Sequence, residues 1–205
     1  MLKIGLTGGI GSGKTTVSDL FARHNNNSNQ VDIIDTDVIA RQIVEINKPA
    51  YNKVLEVFGE EILNSDNSLN RKALRNLVFS DTRLRKKLES ITHPAIHYEV
   101  NKRLSESTAN YCIIVIPLLF ETSSEYDLDR VLVVNCDKVQ QINRVSKRDK
   151  TSEADVEAII QSQVTQAFRL SHADDVIQNN SDIDSLAKQV DKLHAFYLEQ
   201  AKIAK

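Results

Sequence analysis

The sequence is poor in glycine, proline, cysteine and tryptophan. Its 205 residues include six glycines, three prolines, two cysteines and no tryptophan. Two cysteines cannot form a disulfide framework, nor can they supply a four-ligand zinc site by themselves. Cys112 and Cys136 both stand in apolar, strand-like runs. We therefore expect buried free thiols and a reducing, cytoplasmic location.

An excess of charge and long apolar runs are also missing. The 26 Lys and Arg residues against 28 Asp and Glu residues give a net charge of −2, so no global basic field exists to hold a nucleic acid. No run approaches the roughly 18 apolar residues of a membrane helix, and no signal peptide is recognisable. With 41% hydrophobic and 26% charged residues, the chain has a globular composition, and neither a nucleic acid nor a membrane is expected as a partner.

The few glycines are concentrated at one place. Five of the six lie in the first thirteen residues, at Gly5, Gly8, Gly9, Gly11 and Gly13. Residues 8–15 read Gly-Gly-Ile-Gly-Ser-Gly-Lys-Thr and match G-x-x-x-x-G-K-[ST], between an apolar strand pattern and a helical one. Such a loop turns its N–H groups toward phosphate oxygens, while Lys14 reaches the β- and γ-phosphates and Thr15 ligates Mg²⁺. A dinucleotide loop fails on spacing, because its third glycine would fall on Lys14.

Apolar segments alternate with helical periodicity along the chain, which predicts an α/β fold with a parallel five-stranded sheet flanked by helices. Two helical excursions interrupt the sheet, near 40–107 and 140–170, and Pro94 is expected to start a new helix in the first of them. The Asn-rich stretch 25–29 is typical of a solvent loop. The expected strands are residues 3–6, 31–34, 111–120, 131–135 and 176–177.

Two acidic residues follow the second predicted strand. Asp35 and Asp37 would stand at the carboxyl edge of the sheet, where open α/β folds bind their ligands. A carboxylate there can orient an attacking hydroxyl and accept its proton, so Asp37 is favoured as the base and Asp35 as a supporting residue or magnesium contact. The alternative for Asp37 is to cap a helix that begins at Val38.

Arg144 and Arg148 are spaced to share one helix face in the second excursion. Mobile arginines of this kind neutralise a phosphoryl group during transfer, whereas the alternative is a solvated charged helix. Ser152 and Asp155 have the spacing of a helix cap. The residues alone assign no chemistry to His93.

A phosphate loop does not by itself separate kinases, ATPases and GTPases. A GTPase switch usually carries D-x-x-G, but the only glycine after residue 13 is Gly59, with Glu56 three residues before it, and no N-K-x-D motif is present. The GTPase interpretation is therefore disfavoured. A small-molecule kinase, a nucleoside or nucleotide kinase and a non-catalytic ATP-driven switch stay open, although the paired carboxylates and the arginines speak against the switch.

Several further segments agree with one family. The loop is followed by Asp35-Thr36-Asp37-Val38-Ile39-Ala40-Arg41, then by Ile91-Thr92-His93-Pro94 and by Pro117-Leu118-Leu119-Phe120-Glu121. Residues 74–79, 144–149 and 173–180 complete the set. With these segments in this order, the sequence resembles the dephospho-coenzyme A kinases. The resemblance implies ATP-dependent phosphorylation of the ribose 3′-hydroxyl of dephospho-coenzyme A, the last step of coenzyme A biosynthesis.

The resemblance also implies a division of the chain and roles for its residues. It implies a nucleotide core (1–39, 108–139 and 171–205), a helical acceptor part (40–107) and a lid (140–170). We expect a monomer or weak homo-oligomer. Asp37 matches the family's base, Arg144 and Arg148 its lid arginines, and Lys14 acts on the phosphates. The expected ATP contacts are Gly9, Ile10, Gly11, Ser12, Gly13, Lys14, Thr15, Thr16 and Asn179, the last near the adenine. The expected acceptor contacts are Asp35, Arg41, His93, Pro117, Leu118 and Leu119. For Mg²⁺, Thr15 is one ligand, and the second contact is Asp35, water or a phosphate.

Overall fold

A computed structural model describes residues 1–25, 30–122 and 126–203. The chain divides into two compact units, the first formed by Met1–Asp35 with Ser107–Lys205 and the second by Thr36–Glu106. Of the Asn-rich loop expected at 25–29, all but Asn25 lies outside the described residues. In the described ranges, no helix is both long and apolar enough to cross a membrane.

The first unit is built on a parallel sheet of five strands, as the sequence predicts. The spatial order is β2-β3-β1-β4-β5, and each neighbouring pair is parallel. Because β1 is central, the loop that follows it opens at the middle of the sheet edge. The strands are β1 (Leu2–Thr7), β2 (Val31–Asp35), β3 (Tyr111–Val115), β4 (Arg130–Asn135) and β5 (Asp175–Gln178).

The third strand is shorter than its apolar run suggests. The run 111–120 was expected to be strand throughout, but β3 ends at Val115. Ile116 still donates its N–H to the Leu6 carbonyl at 2.9 Å. Pro117 has no N–H to continue the ladder, and residues 117–120 form turns. Hydrophobicity identified the strand, whereas the proline set its end.

Helices follow β1, β2, β4 and β5, whereas β4 is the next element after β3. In chain order they are α1 (Lys14–Ala22), α2 (Thr36–Gln42), α3 (Pro49–Phe58), α4 (Arg71–Ser80), α5 (Thr82–Glu106), α6 (Lys138–Asp149), α7 (Glu153–Ser162), α8 (Gln166–Ser171) and α9 (Ile183–Ile203). In the first unit, α1 and α9 pack together and against β1. Aromatic rings fill that core, with Phe21, Tyr111 and Tyr197 fully buried. Cys112 and Cys136 are buried free thiols, which confirms that expectation.

The second unit consists of α2–α5 around a core that includes Tyr51, Val54, Phe58 and Leu74. The prediction that Pro94 starts a helix is wrong, because this proline lies inside the 25-residue helix α5. Proline removes one intrahelical hydrogen bond and crowds the preceding turn. Helix α5 continues through this site because α2, α3 and α4 all pack against it.

Candidate active site

The glycine loop connects β1 to α1 with a backbone that requires glycine at its last turn. Gly13 precedes α1 in the left-handed conformation, with φ of 95°. A Cβ at this position would lie 2.1 Å from Nδ2 of Asn179. Steric contact and backbone conformation thus both demand glycine here. The loop thus leads directly into the positive end of α1, an arrangement that favours binding of an anion.

Lys14 is the first residue of α1, and its side chain folds back over the loop. Its Nζ donates to the carbonyls of Gly8 at 2.7 Å and of Gly9 at 3.1 Å. These neutral acceptors can be exchanged for charged phosphate oxygens, which form stronger hydrogen bonds with an ammonium group. Thr15 and Thr16 follow at the exposed start of the helix.

Arg144 reaches the same loop from α6. Its Nη2 donates to the Asn179 carbonyl at 3.0 Å and to Oε1 of Gln140 at 3.0 Å, while Nη1 lies 3.3 Å from Sγ of Cys136. Asn179 is buried and donates through Nδ2 to the Ser12 carbonyl at 2.7 Å. The structure therefore joins Arg144 and Asn179 to the phosphate loop, and the amide of Asn179 supports the loop backbone.

Arg148 has a different environment, although it lies one turn further along α6. It forms an ion pair with the adjacent Asp149, with Nε 2.7 Å from Oδ1, and its side chain is 63% exposed. Hydrogen bonding to Asp149 raises the pKa of Arg148, despite an opposing contribution from burial. The next helix begins as predicted, because Ser152 Oγ accepts the N–H of Asp155 at 3.1 Å.

Side chains that the sequence reasoning did not single out also hold the loop. Gln163 accepts a hydrogen bond from the Ile10 N–H, and Gln141 donates one to the Ile10 carbonyl. Arg169 lies against Gly9. No motif marks the two glutamines, because amides are common on polar helices. The sequence does offer an indication of Arg169. Glu121 belongs to the family segment 117–121, and it forms an ion pair with Arg169 at 3.7 Å.

Other predicted residues lie at the carboxyl ends of two neighbouring strands. Asp35 ends β2, and in the register of the sheet it is opposite Val115 at the end of β3. Pro117, Leu118 and Leu119 turn away directly after that strand, with Leu118 44% exposed. Asp35 and this turn therefore share the edge at which parallel sheets bind ligands.

The remaining candidates belong to the second unit. Helix α2 begins at Thr36, so Asp37 lies inside its first turn instead of preceding it. Its carboxylate therefore stands near the positive end of the α2 dipole. Arg41 follows one turn later, and both residues are exposed. His93 and His97 are one turn apart on α5, and the pKa of His97 is lowered by burial and by the neighbouring His93.

Protein groups alone do not build a metal cage in the part of the chain that the structure describes. No cluster of three or more His, Cys, Asp or Glu side chains occurs there with metal-ligand geometry. Mg²⁺ does not need one, because it commonly keeps several waters and binds one or two protein oxygens together with substrate phosphates. The exposed Thr15 hydroxyl at the loop fits that arrangement.

A central parallel strand, a phosphate loop and a lysine at the start of the next helix define a P-loop kinase fold. Solved structures agree. A Thermus thermophilus protein, TT1252, superposes with a TM-score of 0.79 at 29% identity, covering 95% of this chain and 97% of its own. Dephospho-CoA kinase from Campylobacter jejuni gives 0.68 at 25% identity, covering 97% and 98%. Shikimate kinase from Bacteroides thetaiotaomicron, at 17% identity and a TM-score of 0.54 over 95% and 97%, shares the fold.

Sequence comparison identifies the family within this class. The family model for dephospho-CoA kinase matches residues 2–185. The dephospho-CoA kinase of Aggregatibacter actinomycetemcomitans is 46% identical over 98% of this chain and 96% of its own length. That of Nitrosospira multiformis is 43% identical over 98% and 99%. The chain belongs to the dephospho-CoA kinase family.

Proposed function

We propose that this chain transfers the γ-phosphoryl group of ATP to the ribose 3′-hydroxyl of dephospho-coenzyme A, producing coenzyme A and ADP. The observation that carries the proposal is the complete phosphate loop between β1 and α1, with Lys14 folded over it, in a member of this family. The reaction is the last step of coenzyme A biosynthesis, and a cytoplasmic location is part of the proposal.

The donor side consists of the loop, Lys14 and Arg144. Loop residues 9–16 would hold the phosphates, chiefly through the N–H groups of Gly11 and of residues 13–16, and Lys14 would leave the Gly8 and Gly9 carbonyls for β- and γ-phosphate oxygens. Arg144 is already anchored beside the loop by the Asn179 carbonyl. Its charge would stabilise the negative charge that develops on the transferring group. Contact of Asn179 with the adenine is a further part of the proposal.

Mg²⁺ fits the site through Thr15. When bound, the ion would offset the negative charge of the phosphates. The exposed Thr15 hydroxyl would hold it from the start of α1. Phosphates, water or the Asp35 carboxylate would complete its coordination.

The acceptor side is assigned to Asp37 with Asp35, Arg41, His93 and the turn at Pro117, Leu118 and Leu119. Asp37 would accept the proton of the 3′-hydroxyl as the new O–P bond forms. Asp37 lies in the first turn of α2, and Arg41 on the same exposed helix face offers a charge to the acceptor. Residues 140–170, with Arg144 and Arg148, would act as the lid in a monomer or weak homo-oligomer.

The decisive test measures ADP release with ATP and Mg²⁺, with and without dephospho-coenzyme A. We expect the acceptor to stimulate ADP release strongly, and nucleosides or nucleotides to do so far less. The proposal fails if dephospho-coenzyme A stimulates nothing.

A second measurement tests the base. Asp37→Asn should reduce kcat about 10²- to 10⁴-fold, because the amide cannot accept the proton, while the Kd for ATP changes less than about twofold. Asp184→Asn is the matched control, since Asp184 is also an exposed acid in the first turn of a helix, and it should keep normal turnover. Near-normal kcat in Asp37→Asn would refute the assignment.

A further inference from the structure

The apex of the phosphate loop is at Ile10, and side chains from the α6–α8 segment bond both its N–H and its carbonyl. Gln163 Oε1 accepts the Ile10 N–H at 3.0 Å, and Gln141 Nε2 donates to the Ile10 carbonyl at 2.9 Å. The Ser12 N–H donates to the Gly9 carbonyl at 3.2 Å and closes a turn over Ile10. Both side-chain amides are uncharged. They therefore hold the loop without adding a negative charge that would repel a phosphate group.

Gln141 is itself fixed, since it is 6% exposed and belongs to α6. Its approach is so close that a Cβ at Gly9 would lie 2.6 Å from its Nε2, and 3.0 Å from Nη2 of Arg169. Glycine at position 9 thus admits the side chains of α6 and α8 to the loop backbone. The carbonyl side of the Ile10 peptide is therefore held by a rigid partner.

Gln163 is placed by the residue that follows it. Val164 donates its N–H to Oε1 of Glu121 at 3.2 Å and accepts at its carbonyl from Nη1 of Arg169 at 2.6 Å. Arg169 and Glu121 form an ion pair at 3.7 Å, with side-chain exposures of 8% and 16%. Burial lowers the pKa of Arg169 and Glu121 opposes that shift. Both peptide groups of Val164 are thus engaged by Glu121 and Arg169, which restrains the backbone next to Gln163.

We propose that Gln163 is a positioning residue for the phosphates of ATP. By accepting the Ile10 N–H it holds the apex of the loop, and so the orientation of the N–H groups that follow at Gly11 and at residues 13–15. Those donors bind the nucleotide, whereas Gln163 acts through them. The inference rests on the proposed function, because it presupposes that the loop binds ATP. A network of Glu121, Arg169 and Val164 supports Gln163 from behind.

Gln163→Met tests the role, because methionine has a similar length but lacks the amide oxygen. Loss of one such hydrogen bond should raise the Kd of both ATP and ADP about three- to tenfold, measured by calorimetry on the full chain. We expect kcat at saturating ATP and the KM for dephospho-coenzyme A to change less than twofold, with Tm within about 2 °C of the unmodified chain. Gln163→Ala should act in the same direction.

Gln161→Met is the matched control, since Gln161 is exposed on the last turn of α7, two residues away. It should leave the Kd of ATP unchanged. The inference is overturned if Gln163→Met binds ATP as tightly as the unmodified chain or more tightly, or if the KM values of both substrates rise equally. Failure of the unmodified chain to bind ATP would instead refute the proposed function, so the two failures are distinguishable.

Discussion

At the scale of single residues, the phosphate loop depends on one close approach. Gly13 has φ of 95°, and the amide of Asn179 occupies the space that a side chain would need. That amide also donates to the Ser12 carbonyl. Gly13 and Asn179 are therefore complementary, because the missing side chain of one lets the other support the loop. Gly5 has a comparable reason, since a Cβ there would lie 2.5 Å from Cδ1 of Leu128.

Gly13→Ala should abolish measurable ATP binding. The added methyl group would lie 2.1 Å from Nδ2 of Asn179 and would therefore displace that side chain. The left-handed backbone would add about 1–2 kcal/mol of strain. ATP titration and urea unfolding of the same variant measure both effects.

Gly59→Ala separates backbone strain from displacement of Asn179. Gly59 also has a positive φ, 74°, but a Cβ there would meet nothing within 4 Å. We expect it to lose about 1–3 kcal/mol of unfolding free energy and to bind ATP normally. The explanation fails if the two variants bind ATP equally well.

At the scale of secondary-structure elements, the effect of a proline depends on its position. Pro94 stands in the middle of α5, whereas Pro49 occupies the first turn of α3. The N–H missing at a first-turn residue would have had no intrahelical partner. The N–H missing at Pro94 leaves a carbonyl in the preceding turn of α5 without its helical donor. One residue type thus has opposite consequences in two helices of the same unit.

Pro94→Ala should stabilise the chain by about 1–2 kcal/mol, because the cost of an interior proline is partly offset by the greater freedom of the unfolded chain. Urea denaturation measures the change, and circular dichroism should show no loss of helix. Pro49→Ala is the control and should be neutral or destabilise the chain by less than about 1 kcal/mol. Destabilisation by Pro94→Ala would mean that the packing of α5 requires the proline.

At the scale of the whole molecule, a buried polar chain links β3 to α9. Tyr111 Oη lies 2.7 Å from Nδ1 of His194, and Nε2 of His194 lies 3.2 Å from Oε1 of Gln30. Since Gln30 Oε1 can only accept, the neutral His194 ring donates through Nε2 and accepts from Tyr111. His24 stacks on His194 at 4.1 Å and pairs with Asp191 at 3.0 Å. The pKa of His194 is lowered first by burial and then by His24, against the opposing charge of Asp191.

The lowered pKa makes stability depend on pH. As the pH falls below about 6.5, His194 takes up a proton in the unfolded chain before it does so in the folded one. The free energy of unfolding should therefore decrease from there toward the lower pKa of folded His194. Urea unfolding at pH 7.5, 6.5 and 5.5 measures this loss. His194→Gln should reduce the slope, whereas His172→Gln, at an exposed position, should preserve it. Equal slopes in the unmodified chain and His194→Gln would contradict this account.

The amino-acid sequence was sufficient to predict the sheet, its parallel class and the phosphate loop. Local information was sufficient for these features, because strands buried on both faces are apolar throughout and because the loop needs particular residues at fixed spacing. It also predicted the Ser152 cap, where the residues that bond are three apart. The Pro94 prediction failed because proline reports a local preference, while the packing of α2, α3 and α4 on α5 decided the outcome.

Which polar side chains hold the loop depends on the packing of the folded chain. Arg144 and Arg148 look alike in sequence, yet one reaches the Asn179 carbonyl and the other pairs with Asp149 in solvent. Gln163 meets Ile10 across 153 positions of the chain. Such contacts depend on how helices pack over a sheet, and the spacing of residues along one helix carries no record of that packing.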